Sequence, residues 1–323
     1  MEIGLNFFDA HCDTATGVMA GALDFRRADG GGQVNLPALG MWRSWTQVFA
    51  CFVPSNLHPA TERATAEKMI HTLRRLAAES RMTVVLKSSD LPEGGSSGLA
   101  AIISLEAGDP LEGDPQNLEH FFALGVRSLI PAWHDNCFSG TATGENKPLS
   151  RAGEDLVRLA EGLGVMIDVS HLSDAAFYSV RRVAKRPFIA SHSNCRVLCP
   201  SLRNLTDDMI VALAEQGGVT GVNLYSKFLD PSCGRQHQGA AASRADIAWV
   251  ARHVRHAIEV GGEDCVGLGG DLDSGGSLAE GIETVRDYGV IVDALAHAGL
   301  SSRQIEKVCH INFRRVFREV LPT

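Results

Sequence analysis

Six side chains able to bind metal or move protons stand just past the ends of short apolar runs. Phe7-Phe8-Asp9-Ala10 leads into His11-Cys12-Asp13, and Ala101-Ile102-Ile103-Ser104-Leu105 leads into Glu106. Val165-Met166-Ile167-Asp168-Val169-Ser170 leads into His171, and Phe188-Ile189-Ala190-Ser191 into His192. Val266-Gly267-Leu268-Gly269-Gly270 leads into Asp271. Three histidines and three carboxylates from five strand ends suit a pair of divalent cations better than one. Parallel barrels assemble active sites in this way, from the carboxyl ends of successive strands.

The elements that must carry these residues alternate along the whole chain. Candidate strands cover 3–8, 46–53, 100–105, 126–131, 165–170, 187–191, 218–225 and 265–270. Several are continuous apolar runs, as expected of parallel strands covered on both faces. Helical segments lie between them with readable ends. Asp114-Pro115 and Gly125 bracket one helix. Ser173 caps 174–184, and Thr206 caps 207–216 ahead of Gly217. Ile247, Val250, Val254 and Ile258 recur at helical spacing within 244–260. Ser301 and Gln304 form a capping box for the last helix. Eight such units predict a (β/α)₈ barrel spanning 1–323 as a single domain.

Each chemical residue has its own reading. In an extended segment, His11 and Asp13 share a face and can grip one metal, while Cys12 points away. Glu106 alone reads most simply as a loop acid, but its two oxygens can bridge two cations. His171 and His192 lie one βα unit apart, so neighbouring strands place both at one rim, where they suit a second zinc. Asp271 can accept the proton of a metal-held water, with Asp273 a competing candidate. The glycines before Asp271 allow close approach of a neighbouring group. His134, after Leu129-Ile130-Pro131-Ala132-Trp133, is free to hold a substrate carbonyl oxygen.

Composition excludes some classes. The 323 residues are 45% hydrophobic and carry a net charge of −8, which argues against a general polyanion-binding role. No run is long enough for a membrane span, and no basic leader precedes the first motif, so a cytoplasmic location is expected. The eight cysteines form no CxxC pair and read as reduced packing residues.

Taken in order, these segments resemble the membrane (renal) dipeptidase family, M19-type metallopeptidases of the amidohydrolase superfamily. The resemblance runs from Asp9-Ala10-His11-Cys12-Asp13-Thr14 to Asn312-Phe313-Arg314-Arg315-Val316-Phe317. Its most specific parts are Leu105-Glu106-Ala107-Gly108, Ile167-Asp168-Val169-Ser170-His171, Ser191-His192-Ser193-Asn194, Arg203-Asn204 and Gly269-Gly270-Asp271-Leu272-Asp273. It implies a distorted (β/α)₈ barrel with two zinc ions. His11 and Asp13 would hold one, His171 and His192 the other, with Glu106 bridging. Asp271 would shuttle the proton of a bridging hydroxide, and His134 would steady the carbonyl oxygen. Arg203 would pair with the substrate's C-terminal carboxylate, and Tyr225 would line the pocket. The implied substrates are dipeptides, L-Xaa-L-Xaa and also L-Xaa-D-Xaa, and the implied assembly is a homodimer. Two departures stand out. Thr14-Ala15-Thr16-Gly17 replaces a stretch where the family often has Trp, and His310-Ile311 replaces a common Gly.

Three rivals carry different signatures. Lactonases, phosphotriesterases and deaminases on such barrels usually bridge their metals with a Lys, and none follows a predicted strand here; Lys87, in 83–87, comes nearest and lacks partners. A non-catalytic relative would be expected to have lost ligands. A sugar-phosphate or flavin barrel would use a Gly-rich phosphate loop, which Asp271 and Asp273 would oppose.

Overall fold

The computed structural model describes residues 3–54, 58–93, 96–233 and 243–323. Eight strands run parallel: β1 (Ile3–Cys12), β2 (Trp42–Phe52), β3 (Gly98–Glu106), β4 (Val126–Ile130), β5 (Met166–Ile167), β6 (Ile189–Ala190), β7 (Val219–Val222) and β8 (Val266–Leu268). They hydrogen-bond in the order β5-β4-β3-β2-β1-β8-β7-β6. A single parallel bridge, Asp168 to Ile189, joins the two ends and nearly closes the barrel. A two-residue strand, Thr83–Val84, pairs onto β3 outside this circuit.

All eight expected strands are present, with unequal lengths. β5 and β6 keep only two residues each of the six and five expected. Asp168 still donates its N–H to Leu129 and bridges to Ile189, while its side chain takes the N–H groups of Ser170 and Ser191 beside the site. The expected helix ends recur in the structure. Asp114, Ser173, Thr206 and Ser301 each accept a backbone N–H of the following turn. The helix expected over 244–260 spans Ala248–Gly261. Its first four expected residues are instead drawn onto the barrel rim, where Arg244 donates to the carbonyls of Leu278, Ala279 and Ile282.

Two apolar clusters hold the layers together. Phe8, Ala10, Val48, Ala100, Ile102, Met166, Ile189 and Val219 point to the barrel interior. Phe313, Val316, Phe317 and Val320 of the terminal helix Asn312–Val320 join them, and Phe8 stacks on the rings of Phe313 and Phe317. The alternate residues, such as Phe7, Ala101, Ile103, Leu105 and Leu129, pack outward against the helices. This is the two-sided burial that continuous apolar strands require.

The rim is built by close backbone contact. A Cβ on Gly221 or Gly269 would fall on the carbonyl oxygen of Ser191. Only glycine lets β7 and β8 approach the segment that carries His192. Gly269→Ala should therefore destabilise the fold by about 1–3 kcal/mol, the usual cost of overpacking. A urea-unfolding midpoint equal to the parent's would contradict this.

Candidate metal centre

The six side chains converge at the carboxyl end of the barrel. Glu106 sits at the centre, its Oε1 3.1 Å from His171 Nε2 and its Oε2 3.5 Å from His11 Nε2. His11 Nε2 is 4.0 Å from Asp13 Oδ1. The Nε2 atoms of His171 and His192 lie 2.9 Å apart. Ligand atoms of His11, Glu106 and His192 fall within 4.8 Å of one another, as do those of His11, Asp13 and Asp271.

Local backbone irregularities aim these groups. Along β1, strict alternation would send Cys12 to the side of Phe8 and Ala10. A register slip against β2 between Asp9 and Cys12 breaks that alternation. His11 therefore faces the centre, and Cys12 packs in the outer core. Asp13 is not extended; it stands at the N-cap position of the helix Thr14–Met19 without a side-chain capping bond, with φ −98° and ψ 14°. The turn after β8 places Asp271 and Asp273 in the left-handed region, at φ 56° and 61°. Such strain in non-glycine residues costs on the order of 1–3 kcal/mol each and clusters at functional sites.

The two aspartates divide their work. Asp273 accepts from Gln33 N at 2.6 Å and Thr14 Oγ1 at 2.6 Å, so it ties loops together. The Asp271 carboxylate accepts only from Asn223 Nδ2, at 2.8 Å, among the described residues.

Electrostatics point to a site built for cations. Burial opposes the charge on Glu106, but His11 and His171 outweigh it and hold the carboxyl well below its usual range. Burial pushes His11 down, and the carboxylates of Glu106, Asp13 and Asp271 more than reverse this, raising it to about 10. Burial and Arg203 push His171 down to about 3. Burial likewise holds His192 well below its ordinary value. Asp13 is raised by burial and by the neighbouring Glu106 and Asp271. Buried carboxylates crowd together while neutral imidazole nitrogens face each other. Glu106 Oε2 is buried without a hydrogen-bond donor among the described residues. Divalent cations among these atoms would relieve each of these conflicts.

A cavity of about 630 Å³ opens over this centre, lined by Asp13, Glu106, His171 and Asp271, and also by Arg203, Tyr225, Phe52, Trp133, Lys227 and Phe228. Arg203 is buried, with one guanidinium nitrogen 3.3 Å from His171 Nε2 and another without a partner among the described residues. His134 does not line the cavity, where its neighbour Trp133 stands instead. His134 Nε2 is 3.3 Å from Asp109 Oδ1, and its Nδ1 is buried without a partner among the described residues. Asn223, Trp133 and Lys227 were not singled out from the sequence. Asn223 had a usable signal, since it falls at the end of a predicted strand as the other site residues do.

The profile of the membrane dipeptidase family (peptidase family M19) matches residues 4–322. The chain belongs to this family. An uncharacterized Klebsiella pneumoniae protein from the pqqA 5′ region is 31% identical over 77% of this chain and 93% of its own length. Mouse Dipeptidase 3 is 30% identical over 90% of this chain, which spans only 58% of the mouse protein. A crystal structure of an M19 metallopeptidase described as dipeptidase AC superposes with a TM-score of 0.88 at 27% identity, covering 99% of this chain and all of its own. A Rhodobacter sphaeroides metallopeptidase, solved with a phosphinate mimic of the dipeptide L-Ala-D-Ala, gives 0.87 at 26% identity over 98% of this chain and 100% of its own. Membership in M19 makes the chain a metal-dependent hydrolase acting on dipeptides. No helix among the described residues is long and apolar enough to cross a membrane.

Proposed function

We propose that the protein is a zinc dipeptidase that cleaves L-Xaa-L-Xaa and L-Xaa-D-Xaa dipeptides. The observation that carries this is the convergence of three histidines and three carboxylates around Glu106 under a cavity that also holds Arg203. In this reading His11 and Asp13 hold one zinc, His171 and His192 the other, and Glu106 both. When bound, the ions would supply Lewis acidity toward the scissile carbonyl and would lower the pKa of water in the site toward neutral.

The chain's own groups do the rest. Asp271 has one oxygen fixed by Asn223, and the other takes no protein donor among the described residues. It takes the proton of the attacking water and passes it to the leaving amine nitrogen. Arg203 pairs with the free carboxylate one residue past the scissile bond, a task that suits a planar guanidinium. Tyr225 lines the same cavity. Steadying the carbonyl oxygen falls to His134 in this reading, by a turn of its ring away from Asp109 into the cavity. The D-residue expectation is supported by the Rhodobacter relative's ligand. A cytoplasmic setting is supported by eight cysteines, all free thiols.

Arg203→Met should raise KM for dipeptides about 10- to 100-fold, since a charged hydrogen bond contributes about 1.5–3 kcal/mol. An unchanged KM would remove the carboxylate clamp from the account. The reading as a whole is tested by screening the zinc-loaded protein against L-Xaa-L-Xaa and L-Xaa-D-Xaa dipeptides. Turnover of neither series would overturn it.

A further inference from the structure

Behind His192 lies a chain of buried hydroxyls that ends on a carboxylate. Ser191 Oγ is 2.7 Å from His192 Nδ1. Ser170 Oγ is 3.2 Å from Ser191 Oγ and 2.6 Å from Asp168 Oδ1. All four residues are buried.

The direction of every proton in this chain can be worked out. Asp168 Oδ1 accepts the backbone N–H of Ser170 and that of Ser191, each at 3.0 Å. It is therefore an acceptor, and the single hydroxyl proton of Ser170 must point to it. Ser170 Oγ in turn accepts the backbone N–H of His192 at 3.1 Å. Its remaining lone pair faces Ser191, so Ser191 donates to Ser170. Ser191 has then spent its only proton. Toward His192 it can offer only a lone pair, which requires a proton on Nδ1.

We infer that Ser191, braced by Ser170 and Asp168, is a positioning residue that fixes His192 as the Nδ1–H tautomer and so presents a bare Nε2 to the cation. This rests on the reading of His192 as a metal ligand. Partners behind a ligating imidazole commonly set its tautomer and orientation, and losing one typically weakens metal binding 10–100-fold. The brace also spans the seam where the two ends of the sheet meet. Asp168 follows β5, Ser191 follows β6, and these are the two strands joined by a single bridge. Closure of the barrel and the aim of His192 thus depend on the same carboxylate.

The test is zinc retention. Parent, Ser191→Ala and Ser191→Thr are loaded with zinc, dialysed against graded chelator and assayed for zinc per chain, with thermal unfolding followed in parallel. Ser191→Ala should release one zinc at a 10- to 100-fold lower chelator concentration than the parent. Ser191→Thr, which keeps the hydroxyl, should hold zinc better than Ser191→Ala. Equal retention by the parent and Ser191→Ala would overturn the brace while leaving the metal centre standing. A parent that binds no zinc would overturn both. Should Ser191→Ala fail to fold, ring ¹⁵N shifts of the parent decide the matter. A proton on His192 Nδ1 supports the inference, and one on Nε2 overturns it.

Discussion

Glu106→Gln should lose bound metal and dipeptide hydrolysis together. The substitution keeps shape and volume but removes the charge on which the centre balances. Glu106 lies within 3.1 Å and 3.5 Å of two imidazole nitrogens that come from different strands. One of its oxygens is buried without a donor among the described residues. Metal-assisted stabilisation of developing charge is worth several kcal/mol. Each 1.36 kcal/mol is tenfold in rate, so activity should fall by at least about a thousandfold. The zinc content of the purified variant should drop in parallel. A variant that kept two zincs per chain, or parent-like turnover, would show that Glu106 is not the shared ligand.

Asp271→Asn should behave differently. Asparagine can still accept from Asn223, and the five proposed ligands are untouched. Zinc content should stay at the parent's level while kcat falls about 10²- to 10⁴-fold, the usual contribution of a positioned acid–base group. Asp273→Asn offers the contrast. Asp273 is occupied by Thr14 and the Gln33 backbone, so its loss should act on stability before turnover. Normal kcat in Asp271→Asn would remove the proton-shuttle role.

These expectations grew from residues that were largely legible before the structure. Ligand-type side chains at strand ends, combined with eight alternating units, were enough to anticipate the barrel and which residues meet. The paths they take to meet were less legible. His11 reaches the centre through a register slip between Asp9 and Cys12, and Asp13 through a helix cap rather than a shared strand face. The slip leaves no local signature, because it depends on how β1 pairs with β2. The shortness of β5 and β6 was equally hidden. Their apolar runs extend to Asp168 and Ser191, but past the single bridge the N–H groups of Ser170 and Ser191 go to the Asp168 side chain. His134 shows the opposite case. Its place after an apolar strand is right, yet Trp133 takes the cavity wall.

The central claim is that one carboxylate joins two cations held by histidines from three strand ends and by Asp13 at a helix start. Its most direct test is a zinc-loaded crystal analysed by anomalous scattering at the zinc edge. The account predicts two zinc peaks per chain, both within bonding distance of Glu106, one beside His11 and Asp13 and the other beside His171 and His192. A single peak, or zinc bound away from Glu106, would contradict it.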